Sequence, residues 1–356
     1  MKALKRIIVW VLLSIVMQIA VLYYVDKYLF ASGGVSATIS TKKVVKEKEK
    51  KKNVNIFVPE EAKQVAVSYD GNYLSYYKED ELKLIDAYTG EESTVELEDK
   101  LSVSFYKWAP DRNIVLIAAK KQYNNSSKYV FYSYDAERGL KEKLETKEQN
   151  ETAFVASKSS NIEDLQLSPL TNMIYIKASL EGGRSNIQSI NIMKRISKVD
   201  TQSYFIGDIK ILPNDDRIAY EDFMKSRVYV TGKSKAISIE DVDKLSLIGV
   251  DDNDNIYVGE LESDSSNGAS KVKNIYYGTI GQEYDEWKKV DLKEAVNKKD
   301  IYVSRDGKIY TNDNLKGIVT ELSSNKETVY KGIFLQMYDG GISSISDGKL
   351  ITVELK

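Results

Sequence analysis

The sequence predicts an all-β fold, a β-propeller of four-stranded antiparallel blades, on three observations. Short apolar-alternating runs rich in Tyr, Val, Leu and Ile fill most of its 356 residues. These runs are punctuated by turn pairs such as Asp70-Gly71, Thr89-Gly90 and Asp306-Gly307. The pattern of runs and turns recurs about every 40 to 60 residues, the period of propeller blades.

The template is Val65–Glu98, with runs at Val65–Tyr69, Tyr73–Tyr77, Leu82–Ala87 and Thr94–Leu97. A meander of this kind has two apolar faces and buries neither alone, so it needs copies stacked beside it. The second copy opens at Ser102–Ala119 and continues through Lys128–Leu140. A third opens at Asp164–Leu180, a fourth at Asp208–Asp222, a fifth at Leu245–Leu261 and a sixth at Asp300–Asp313. Each places a turn between its first two strands: Asp70-Gly71, Pro110-Asp111, Pro169-Leu170, Asn214-Asp215, Asp252-Asn253 and Asp306-Gly307. Three strands remain at the end, Phe334–Tyr338, Gly341–Ile345 and Lys349–Leu355, and one at the start, Val54–Val58. Together they make a seventh blade that closes the ring by pairing both chain ends and removes its open edges. Six or eight blades would also fit the period.

The pattern S-x-D-G-x-x-L-x-Y…L-x-L-x-D…T-G over Ser68–Gly90, with the Trp108-Ala109-Pro110-Asp111 turn, resembles the blades of TolB-type propellers and of the dipeptidyl peptidase IV propeller domain. The resemblance covers roughly residues 54–356. It implies a propeller without the Ser-Asp-His hydrolase domain that follows it in those peptidases, and it is informative about fold rather than function.

The N-terminus reads differently. Lys2, Lys5 and Arg6 precede an uncharged run from Ile7 to Val25, roughly 28 Å long as a helix. That is about a bilayer's hydrocarbon core. Trp10 and Tyr23, Tyr24 and Tyr28 suit its two interfaces. The expectation is a cytoplasmic tail over 1–6 and an uncleaved transmembrane signal-anchor helix over 7–28. A Lys-rich linker over 29–53 and an extracytoplasmic propeller over 54–356 follow. A cleaved signal peptide fits less well, because the apolar core is long and Val35-Ser36-Ala37 lies far beyond it.

Composition excludes several chemistries. The chain has no Cys and no His. Disulfides, thiol nucleophiles, His-based zinc sites and a Ser-His-Asp triad are therefore out. Residues 1–53 hold 11 Lys+Arg against 3 Asp+Glu, which leaves 40 against 50 for the rest, net −10. An acidic globular part argues against nucleic acid as its partner. The 25 Tyr are accounted for by β-propensity, with an aromatic ligand platform as the other reading. Asn124, Asn125 and Asn150 head glycosylation-type triplets, which matter only in a glycosylating host.

Asp251–Asn255 with Glu262 imitates the spacing of a calcium loop, but Ile256 stands where such a loop needs Gly. A hairpin turn explains it, and no metal or cofactor is expected. A catalytic carboxylate pair cannot be picked from 50 acidic residues without geometry. No nucleophile elbow or phosphate-binding glycine loop occurs.

Loop lengths point to one face. Turns between first and second, and third and fourth, strands are mostly tight. Longer second-to-third loops fall at Lys121–Ser127, Glu181–Ser185 and Ser263–Ala269, and longer blade-to-blade connections at Lys147–Glu163 and Asp291–Lys299. In an up-and-down meander both longer classes emerge on the same side, which marks a binding face. Tyr123, Arg184 and Phe223 are its candidate binding residues, because aromatic and Arg side chains dominate hot spots.

The reading is a membrane-anchored extracytoplasmic propeller acting as a non-catalytic platform for an envelope protein, peptide or glycan. The alternatives are a carboxylate-based glycosidase-like enzyme and a sensor working through a membrane partner. A cluster of buried Asp or Glu facing the central channel would favour the enzyme, and an uncharged or merely solvated channel the platform.

Overall fold

The computed structural model describes residues 2–24, 54–98, 100–262 and 270–356. They fall into two compact units, residues 1–51 and 52–356. The expected linker and the Ser263–Ala269 loop lie outside the described residues.

The larger unit is a seven-bladed all-β propeller. Seven antiparallel sheets follow one another in chain order, each a meander. Blade 1 shows the pattern, with strands Lys63–Val67, Tyr73–Lys78, Glu81–Asp86 and Glu92–Val95. Its two inner hairpins turn where the sequence places Asp70-Gly71 and the charged Lys78–Glu81. Gly71, Glu79 and Asp80 hold the left-handed backbone that these tight turns need. Blades 3, 5 and 6 are likewise four-stranded, blade 2 adds a fifth strand to its four-stranded meander, and blade 4 has three regular strands and a looser outer edge at Ile237.

The seventh blade closes the ring as expected. Strands Ile333–Tyr338, Gly341–Ser346 and Lys349–Glu354 form a sheet, and the N-terminal segment bridges to it at Phe57 and Lys349. The core repeats the same logic. Seven buried apolar clusters each join one blade to the next, from Leu82 and Val95 against Tyr106 and Val115 round to Tyr310 and Val319 against Ile342. The last, built on Ile56, Val67, Leu74, Tyr76 and Ile85 with Leu335 and Leu350, joins blade 7 back to blade 1. Hydrophobic burial is thus between blades rather than inside any one, which is why a single copy could not fold alone.

Two stretches read as connections are partly strand. Ala153–Ser157 pairs with Ser126–Val130 and continues the outer edge of blade 2, and Lys288–Asn297 runs through the start of the expected 291–299 connection. In both, alternate apolar residues face a cluster: Phe154 and Ala156 in one, Val290, Leu292 and Val296 in the other.

The smaller unit holds one helix, α1, Lys2–Tyr24, and the expected membrane span falls on it. Among the described residues no helix is long and apolar enough to cross a membrane. Lys2, Lys5 and Arg6 fall in the first turns of the helix. The single-pass anchor over 7–28, with a cytoplasmic N-terminus and an extracytoplasmic propeller, is therefore corrected. Neither that span nor the envelope location drawn from it is supported.

Candidate functional site

The innermost strand of each blade lines a central channel. In six of the seven blades this strand slips register against its neighbour near its start, for example between Ile162 and Asp164 and between Ile206 and Ile209. Such bulges re-aim side chains. Here they fall where Glu163, Asp164 and Asp208 stand on the wall of the channel and its rim.

The channel holds a cavity of about 1230 Å³ and opens past the first turns of the blades, at Tyr69, Pro110, Asp252, Arg305 and Asp339. A second, shallower pocket of about 390 Å³ lies at the opposite mouth, among Glu163, Lys177, Ser185, Glu221 and Phe223. Asp208 and Lys298 line both.

Lys298 organises this junction. Its ammonium donates to Asp208 Oδ2 at 2.7 Å and to Glu221 Oε2, while Ser246 Oγ donates to Glu221 Oε1 at 2.9 Å. Burial pulls the Lys298 ammonium down, but the charges of Glu221 and Asp208 outweigh it and hold it above its ordinary range. Burial pushes Asp208 up, and the Lys298 charge and hydrogen bond outweigh it and leave the carboxyl below its usual range. The remaining acids of the wall are paired in the same way. Lys107 donates to Asp164 at 2.6 Å, and Lys177 to Glu163 at 3.1 Å. A glycosidase needs one carboxyl held protonated and a second one ionised. Asp208 and Glu221 instead share one ammonium, which holds the Asp208 carboxyl below its usual range.

The other mouth is knitted by the first turns of successive blades. Asn113 Nδ2 donates to Asp70 Oδ2 at 3.0 Å, and Arg112 Nη2 to the Pro169 carbonyl at 3.1 Å. Asn214 Nδ2 donates to the Asp252 carbonyl at 2.6 Å, and Arg305 Nη2 pairs with Asp252 Oδ2 at 2.9 Å. The calcium-like Asp251–Asn255 segment is one of these turns. The Asp251 carboxylate accepts from the amides of Asn253 and Asn255 at 2.9 Å each and from Tyr257 Oη at 3.0 Å, so its lone pairs are spent on the hairpin. Among the described residues no cluster of three metal-ligating side chains occurs.

Of the three candidate binding residues, only Phe223 lines a pocket. Phe223 lines the rim pocket, half-exposed, edge-on to Phe205 with ring centroids 6.0 Å apart. Arg184 sits beside the Gly183 and Ser185 of that pocket, and the Ser185 amide donates to the Tyr204 carbonyl at 2.7 Å. Tyr123 stands apart on the blade 2 loop, its ring under Lys121, and lines neither cavity. Sequence reasoning missed Tyr204 and Met224, exposed on the same rim, as well as the Lys298 junction. The adjacent aromatics Tyr204-Phe205, in a connection rather than a strand, were the available signal.

These features define a closed seven-bladed propeller with a charged channel, several of whose side chains are ion-paired, and an aromatic rim over blades 3 and 4. No family model and no curated protein matches the chain. Solved structures do, by fold. A chain of the mitotic checkpoint complex matches with TM-score 0.52 and 11% identity, over 85% of this chain and 94% of that one. The β-propeller domain of Myceliophteria thermophila Cps50 (Swd1) matches with TM-score 0.51 and 10% identity, over 86% and 100%. Porphyromonas gingivalis dipeptidyl peptidase 4 is also found, at TM-score 0.46 and 9% identity, over 75% of this chain and 44% of that one. The last likeness is too loose to carry anything further, and the TolB-type likeness is not shown.

Proposed function

We propose that residues 54–356 form a non-catalytic protein-binding platform that engages its partner through the rim of blades 3 and 4, with 29–53 as the linker to the N-terminal helix. The observation that carries this reading is the rim itself. Phe223, at 45% exposure, lines a shallow polar pocket together with Gly183 and Ser185, the chain neighbours of Arg184; Tyr204, 52% exposed, accepts the Ser185 amide at its carbonyl, and Met224, 64% exposed, follows Phe223 in the chain. Aromatic, Met and Arg side chains over satisfied polar groups are the composition of an interface centre. The paired carboxylates of the channel favour this reading over the glycosidase alternative. One solved neighbour is itself a chain of a complex, which is support by analogy of fold alone.

The test is crosslinking in the full chain. A photo-reactive residue at position 223 should give one discrete adduct, cut at least about tenfold by Arg184→Ala, the scale of one interface hot spot. Position 233, in a third-to-fourth turn on the opposite face, should give none. Equal capture from both positions would remove the proposal.

A further inference from the structure

The channel is cationic in an otherwise acidic domain. Its cavity is lined by seven Lys or Arg side chains against four Asp, although residues 54–356 as a whole carry net −10. Most of this charge is internally spoken for: Arg305 on Asp252, Lys308 on Asp306, Lys298 on Asp208 and Glu221, and Lys107 on Asp164. Lys210, Lys299 and Lys356 are not, and of these only Lys210 stands on an innermost strand, that of blade 4, where it makes no ion pair or hydrogen bond among the described residues. A half-buried ammonium without an ion pair is costly to hold.

We propose that the central channel is a binding site for a small anion, a phosphate- or carboxylate-bearing molecule, whose charged end is received by the Lys210 ammonium with Lys107 and Lys298 as its neighbours. The cavity of about 1230 Å³ has room for the rest of such a molecule, and Trp108, Tyr302 and Tyr338 supply apolar wall to it. Electrostatic focusing by low-dielectric walls strengthens the attraction of a lone cation inside a channel. Burial, and then the charge of Lys107, push the Lys210 ammonium below its ordinary range, with Asp164 and Asp208 compensating only in part. An arriving anion would relieve that strain. The site adjoins the rim pocket through Lys298, but Lys210 lines only the channel, so either reading can fail without the other.

The experiment is calorimetric titration of the full chain with inorganic phosphate and with citrate, at an ionic strength held constant with chloride. Saturable one-to-one binding of either anion is expected, weakened at least about tenfold in Lys210→Met, the scale of one charge-assisted hydrogen bond. It should be unchanged in Lys233→Met, an exposed lysine on a turn. Phosphate-only or citrate-only binding supports the site and names its chemistry. No saturable binding of either anion, or equal affinity in Lys210→Met, overturns it. Should Lys210→Met fail to fold, acylation of the wild-type chain followed by peptide mapping serves instead. The anion should protect Lys210 several-fold and Lys233 not at all, and equal labelling of Lys210 with and without anion would overturn the proposal.

Discussion

The amide of Leu350, in the last strand of the chain, donates to the carbonyl of Ile56 at 2.9 Å. Beside it the Val58 amide donates to the Gly348 carbonyl at 2.8 Å, so the first and last strands of the propeller form one sheet edge. The ring is held shut by these bonds and by Ile56, 6% exposed, in the cluster that joins blade 7 to blade 1.

Ile56→Ala should therefore lower the stability of the propeller by about 2–4 kcal/mol, the usual cost of truncating a buried Ile. Phe57 alternates outward at 62% exposure, and Phe57→Ala should change stability by less than about 0.5 kcal/mol. Urea unfolding of the two variants measures the contrast, and equal midpoints would mean that the closure contributes nothing.

Lys298→Met should cost about 3 kcal/mol, because Glu221 is 9% exposed and would keep only the Ser246 hydroxyl. The pH dependence has a definite sign at each end. Lys298 is raised above 10.5 in the fold, so its contribution is complete below that value and is lost as pH rises through the native value. Asp208 is lowered below 3.8, so its contribution is present above 3.8 and is lost as pH falls through the native value. The Asp208 side chain remains 57% exposed to the wet channel, which keeps its share under about 1 kcal/mol. The deficit of Lys298→Met in urea should thus be flat across neutral pH and shrink at both extremes.

Gly332→Ala should be among the most damaging substitutions of a small residue. Gly332 has φ +83°, and a Cβ there would lie 2.1 Å from the Ile345 carbonyl oxygen. Both the left-handed backbone and the collision count against Ala, by about 3 kcal/mol or more together. Gly183, at φ +70° but facing open space, should lose only about 1 kcal/mol as Ala. Thermal melting of the two variants separates the backbone cost from the collision.

Phe223→Ala should leave the fold intact, since the ring is half-exposed and meets Phe205 only at an edge. Its melting temperature should stay within about 2 °C of wild type, the range of a surface substitution. Partner capture should fall at least about tenfold. Tyr123→Ala, away from the rim pocket, should change neither by more than about twofold.

Much of the architecture was written locally. Alternation over Tyr73–Tyr77 and the Asp70-Gly71 turn report strand and hairpin from neighbours a few residues apart, and copying that unit along the chain leads to seven blades and a closing N-terminal strand. In Ala153–Ser157, which is apolar without clean alternation, and Lys288–Asn297, where charged residues crowd the apolar ones, strand was read as connection, because only the packed cluster distinguishes an outer-edge strand from a loop. The loop-length argument selected Arg184, Phe223 and Tyr123 alike; of these only Phe223 lines a pocket, and Tyr123 shares its loop class but not its blade.

Composition and period by themselves determined the class of fold, its closure and the absence of Cys and His chemistry, because each depends on residue type and on contacts with the adjoining strand. Only the tertiary structure decided which charges meet. Lys298 leaves blade 5 to reach Glu221, 77 positions earlier in blade 4, and Lys210 is left alone on the same wall. Those relationships arise when bulged innermost strands from different blades turn toward a common axis, and no local pattern encodes where that axis passes. The helix α1 shows the same division: its apolar letters are local, whereas the span available to cross a membrane is a property of the described helix, and it falls short.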